Sequence, residues 1–116
     1  MKEATSVDFL RGNTDLMLLS VLDDGPKYGY LIQQRIAEVS HGRVELKAGT
    51  LYPLLHRLES DKLVKSRMDD STGRKRKWYQ LTAAGRKRLK HQAKEWSIYA
   101  ECMRQLLVPY LNPSTA

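Results

Sequence analysis

A single cysteine, Cys102, is all the thiol chemistry this 116-residue chain possesses. One thiol excludes an intrachain disulfide and a cysteine-built zinc site. Histidine is scarce too: His41, His56 and His91 are the whole set, and no pair has metal-ligand spacing. His91 and Cys102 lie eleven residues apart on what reads as one helix. About 16 Å of rise then separates them, which rules out a thiol–imidazole dyad within one chain. His56 and Glu59 share a helix face, where a surface ion pair is the ordinary outcome. A glycine-rich phosphate loop and a serine elbow are both absent. No catalytic residue, metal or cofactor is assigned, and the chain reads as a non-enzyme.

Long apolar runs are missing as well. Runs such as Leu16–Leu19 are far too short to cross a bilayer, and Met1 to Asp8 lacks the apolar core of a secretory signal. A reduced, cytoplasmic protein without membrane contact is expected. Repeats and low-complexity linkers are not seen. The length suits one small domain, and 41% hydrophobic residues suffice for a single core.

Positive charge is what the chain has in excess, and unevenly. The formal net charge is +7, yet Lys62 to Lys94 holds twelve basic residues against only Asp69 and Asp70. Concentrated charge attracts polyanions, whereas an even excess mainly aids solubility, so nucleic acid is favoured over a merely solvated face. Within this segment "GRKRKWYQLTAAGRKR" combines seven cations, no acid and an adjacent Trp78–Tyr79 pair.

Apolar spacing predicts a first helix through Leu10, Leu16–Leu19, Val21 and Leu22, ending near Gly25-Pro26. A second runs through "YGYLIQQRIAEVS" and stops at Ser40-His41-Gly42, with a short strand expected at Arg43 to Leu46. In "AGTLYPLLHRLES", Leu51, Leu54, Leu55 and Leu58 form one buried stripe, opposite Gly49, Tyr52, Pro53, His56 and Ser60. Pro53 costs least in a first turn, which predicts a regular helix only from about Thr50. Leu63 to Met68 and Lys75 to Leu81 read as a hairpin with a polar tip. Thr82 then caps a fourth helix that reaches about Val108, where Pro109 ends it.

On that helix Leu89, Ala93, Trp96, Ala100, Met103 and Leu107 are spaced 4, 3, 4, 3, 4, a coiled-coil seam. A second row, Tyr99, Cys102 and Leu106, adjoins it. Two stripes predict one buried at home and one offered to a partner helix, hence a homodimer. A single broad core-facing helix in a monomer is the alternative.

Three helices, a hairpin and a long closing helix make a mainly α fold with a small β-hairpin (α+β), a winged helix-turn-helix. Residues 1–81 would form the DNA-binding region, with the wing at about 63–81. Residues 82–110 would form the dimerisation helix and 111–116 a tail. The third helix suits a major groove, and Arg74 to Lys77 at the hairpin tip suit phosphate. One or both of Trp78 and Tyr79 then pack against the core and hold the returning strand rigid, the alternative being that Trp78 stacks on a base. Arg86, Lys87, Arg88 and Lys90 crowd the positive end of a helix dipole, a conflict that a docked phosphate would remove.

The chain resembles the PadR family of bacterial winged-helix regulators over nearly its whole length. "LLSVLDDGPKYGYLIQQRI" resembles the first two helices with their Gly-Pro-x-x-Gly-Tyr join. "GTLYPLLHRLESDKLV" is similar to the recognition-helix signature, and "GRKRKWYQLTAAGR" to the wing and last-helix start. Lys62 stands where the family often has Gly, and Trp78-Tyr79 where it often has Tyr-Tyr. The resemblance implies a homodimeric repressor on a two-fold-related double-stranded DNA operator. Carried over by position, Lys47, Thr50, Tyr52, Pro53, His56 and Arg57 face DNA, with Arg74, Lys75, Arg76 and Lys77 from the wing. Lys27 and Tyr28 lie near backbone, and so does Tyr30, with an equal claim to the core. In the compact, multidrug-responsive subgroup a Trp from each fourth helix sandwiches a flat aromatic effector across the dimer axis. Trp96 occupies that position, with Phe9, Asn13, Leu16, Ala100 and Met103 beside it. The competing function is a dimeric basic adaptor that binds acidic partners, or nucleic acid without sequence preference.

Overall fold

The computed structural model describes residues 13–111. The order is α1 (Thr14–Val21), β1 (Lys27–Tyr28), α2 (Gly29–Val39), α3 (Ala48–Ser60), β2 (Val64–Asp69), β3 (Arg76–Leu81) and α4 (Ala83–Leu111). The three strands form one antiparallel sheet in the order β1-β3-β2. Beside the expected hairpin, the two-residue β1 adds a third strand, pairing Lys27 with Tyr79 and Tyr28 with Trp78.

The core is built from one face of each element. Leu18, Leu19 and Leu22 come from α1 and its end, Ile32 and Ile36 from α2, and Leu51, Leu54, Leu55 and Leu58 from α3. Leu63, Val64, Tyr79 and Leu81 close it from the sheet side. No polar or charged residue is buried among the described residues.

Two helix ends show how the chain turns without long loops. After α3, Leu63 N–H donates to Leu58 O and Lys62 N–H to Glu59 O, both 2.9 Å, around Lys62 at φ 62°. That is a Schellman stop, whose left-handed residue is usually Gly. Thr82 does cap α4: its Oγ1 accepts from Gly85 N–H at 3.0 Å and donates to Lys62 O at 2.7 Å. Gly85 is there because a Cβ would lie 2.0 Å from the carbonyl oxygen of Leu63.

Four expectations need correcting. Arg43 to Leu46 is not a strand. Ser40 Oγ accepts from Val44 N–H at 3.0 Å, and Gln33 Nε2 donates to Leu46 O at 2.9 Å, so side chains take the place of a ladder. Helix α3 starts at Ala48, two residues before Thr50, because Lys47 O already accepts from Thr50 and Leu51. Pro53 therefore lies inside the helix, where it has no N–H for Gly49 O. Pro109 does not end α4, which continues to Leu111. Its fixed φ is a helical one, so one lost hydrogen bond near a free end is tolerated. Tyr30 is exposed and not part of the core.

Candidate nucleic-acid interface

Helix α3 presents to solvent what its buried stripe leaves over. Lys47, Ala48, Gly49 and Thr50 at its start are all exposed, followed by Tyr52, Pro53, His56 and Arg57. A Cβ added at Gly49 would meet nothing within 4 Å, so this end of the helix is open to close approach. Arg57 is less free than its exposure suggests. It donates to both carboxylate oxygens of Asp15 on α1, at 2.6 and 3.1 Å, and this acceptor raises the guanidinium pKa further. Glu59, one turn behind His56, accepts from Ser66 Oγ and lies 3.8 Å from Lys77 Nζ, so it serves the wing and not His56.

The wing divides its cations into two groups. Arg74 and Lys75 are exposed beside the tip, where Gly73 turns at φ 89°. At the same tip Asp69 accepts from Ser71 and Arg67, which lowers its pKa to about 2. Arg76 lies over the Tyr28 ring, 4.4 Å from its centroid, and donates to Thr72 Oγ1 at 2.9 Å. Lys77 is drawn inward, toward Glu59 and over the Tyr79 ring at 5.6 Å. Arg74 and Lys75 precede β3, and within β3 alternation sends Arg76 and Lys77 to opposite faces.

The aromatic pair packs. Tyr79 is buried, and burial pushes its phenol pKa up, with Glu59 and Tyr52 adding to the shift. Trp78 meets Tyr28 edge to face at 5.0 Å, and its indole N–H is buried without a hydrogen-bond partner among the described residues. Lys27 pairs with Asp24 and lowers that carboxyl's pKa. Tyr28 is half-buried between Arg76 and Trp78. A groove of about 550 Å³ runs between α2, α3 and the wing, lined by Tyr28, Gly29, Tyr30, Tyr52, Arg74–Lys77 and Tyr79. The structure thus brings Tyr52 and the wing cations to one groove, while Arg57 is tied to α1.

At the start of α4 the cations are partly compensated. Arg86 donates to Asp23 at 2.6 Å, an acid sixty-three residues earlier in the chain. Lys87, Arg88 and Lys90 remain exposed on the outside of the first two turns.

Farther along α4 the apolar seam leaves the domain. Leu89 packs on the chain's own core, and Ala100 and Met103 are half-buried. Trp96 is 52% exposed, and Leu107, Tyr99, Cys102 and Leu106 are exposed as well. Tyr110 beyond them is 81% exposed. Asn13 and Leu16 of the first helical segment line a shallow groove of about 350 Å³ with Trp96, and Gln92, Glu95 and Tyr99 complete it. Those last three were missed from sequence, although Gln92 and Tyr99 stand one turn either side of Trp96. Ala100 and Met103 do not line it, and Phe9 lies outside the described residues. His91 pairs with Glu95 at 2.9 Å. Among the described residues no group of His, Cys, Asp or Glu could hold a metal ion, and no helix is long and apolar enough to cross a membrane.

Comparison with known proteins places this arrangement. The sequence pattern of the transcriptional regulator PadR-like family matches residues 18–91. A transcriptional regulator of Mycobacterium tuberculosis is 38% identical over 79 residues, covering 68% of this chain and 71% of the relative. A transcriptional regulator from Clostridium thermocellum superposes with a TM-score of 0.77 at 32% identity, over 84% of this chain and 96% of that one. A PadR family regulator from Clostridium difficile gives 0.74 at 37% identity, over 83% and 99%.

Proposed function

The chain belongs to the PadR-like family of transcriptional regulators, and from that membership we propose that it acts as a homodimeric repressor on a two-fold-related DNA operator. It is a transcriptional regulator and not an enzyme. The observation that carries the finer reading is the single groove shared by α3 and the wing. Its α3 wall is Tyr52 and its other wall offers Arg74 and Lys75, while the start of α3, Lys47 to Thr50, is exposed outside that lining. An exposed helix start can enter a major groove and read base edges, while the neighbouring cations hold phosphate.

Base contacts fall to Lys47, Thr50, Tyr52, Pro53 and His56, and phosphate contacts mainly to Arg74, Lys75 and Arg76. Dimerisation is supported by the seam on α4, which from Trp96 onward carries more exposed apolar surface than a free helix in water keeps. Ala93, Trp96, Ala100, Met103 and Leu107 form the proposed interface; Leu89 at its near end is already used by the core. A planar aromatic effector would lie against Trp96 in the groove with Asn13 and Leu16. Nuclease footprinting of the region upstream of its own coding sequence tests the assembly. Two protected half-sites about one helical turn apart are expected; protection of a single half-site would contradict the dimeric reading.

A further inference from the structure

Gly29 is the first residue of α2, and its backbone does not call for glycine: its φ is not in the left-handed region. Alanine would make the better helix. Space decides instead. A Cβ at Gly29 would stand 2.2 Å from the Tyr52 hydroxyl oxygen, 2.8 Å from Cζ and 3.2 Å from Cε1. The phenol of Tyr52, on the second turn of α3, therefore rests in the place a side chain would take.

The residue before Gly29 is fixed in its turn. Tyr28 pairs with Trp78 in the sheet, meets its ring edge to face and lies under Arg76. Tyr52 thus touches the residue that directly follows β1, the strand that ties the start of α2 to the wing. Tyr52 is 40% exposed, so the ring also forms part of the groove wall. It can carry the position of α2 and the wing into the surface of α3.

We infer that Gly29 is a positioning residue: by leaving a berth for the Tyr52 phenol it sets the pose of α3 against the wing, and through that pose the discrimination between DNA sequences. This deepens the DNA-binding proposal and rests on it. The clash that a larger residue would cause is with the far end of a side chain and not with backbone. Tyr52 can swing aside, so Gly29→Ala should fold while losing the pose.

The test reads the berth and its consequence separately. The chain has six tyrosines, and in 3-fluorotyrosine-labelled protein Tyr52→Phe identifies the Tyr52 fluorine resonance. Gly29→Ala should move that resonance toward the free amino acid and leave Tyr99 and Tyr110 in place. A Tyr52 signal that stays put overturns the proposal. On DNA, Gly29→Ala should lower the preference for the upstream duplex over a shuffled one by about tenfold, as loss of one base position does. In a Tyr52→Ala background the same change should have no further effect, since its partner is gone. Unchanged discrimination, or losses that simply add, overturns it. If Gly29→Ala alone does not fold, Gly29→Ala with Tyr52→Ala must recover the fold, and failure to do so refutes the berth. A parent protein without any sequence preference refutes the DNA reading itself, and with it the berth's role in discrimination, whereas the fluorine shift still tells whether the berth exists.

Discussion

Arg57 of the third helix is held by Asp15 of the first through two hydrogen bonds, across 42 residues of sequence. A guanidinium so occupied is not offered to phosphate. Asp15→Asn should free it, so that all duplexes bind more tightly and the salt dependence steepens by up to about 0.9 in log–log slope. Arg57→Ala in the parent should change that slope less than Arg74→Ala does. The pair is solvent-exposed, so its loss should cost stability only about 0.5–1 kcal/mol. Anisotropy titrations across a salt series, with thermal melts, check both.

The wing cations should not be equivalent. Arg74→Ala and Lys75→Ala each remove a free charge and should flatten the salt slope by about 0.9, uniformly over sequences. Lys77→Ala should matter less, since Lys77 already lies near Glu59. Glu59→Gln should release Lys77 and strengthen binding to every duplex. The same titrations check the order.

Two neighbouring backbone positions should respond in opposite directions. Lys62 occupies the left-handed stop of α3 at φ 62°, so Lys62→Gly should raise stability by about 1 kcal/mol. Gly85→Ala drives a Cβ against the Leu63 carbonyl and should lower it by about 2 kcal/mol or more. Denaturant melts of the two variants decide it.

The partner surface is tested on α4. Met103→Asp or Leu107→Asp would force a charge into an apolar interface and should give monomers by sedimentation velocity. Intact dimers in both variants would remove the seam from the interface.

The core was almost fully legible, because burial follows from periodicity. The stripe Leu51, Leu54, Leu55 and Leu58 is buried as its spacing predicts, and Thr82 caps α4 as its position predicts. Two kinds of feature were not legible. A two-residue strand such as β1 has no alternation of its own and exists only because β3 lies beside it. Charge counting along the chain found few acids near the basic segment, yet Asp23 and Glu59 arrive from elsewhere in the fold to meet Arg86 and Lys77. Those pairings are tertiary, as is the berth at Gly29. The Gly-Pro-x-x-Gly-Tyr join marks where such a glycine stands, not which side chain will lie on it.

One measurement bears on the central claim more directly than any other: fluorescence anisotropy of the protein with the duplex upstream of its own coding region, against a base-shuffled control, at near-physiological salt. A sequence-specific regulator should prefer the former by about 1000-fold or more. Equal, weak binding to that duplex and to tiled fragments of its neighbourhood would contradict it and leave the basic face to a different polyanion.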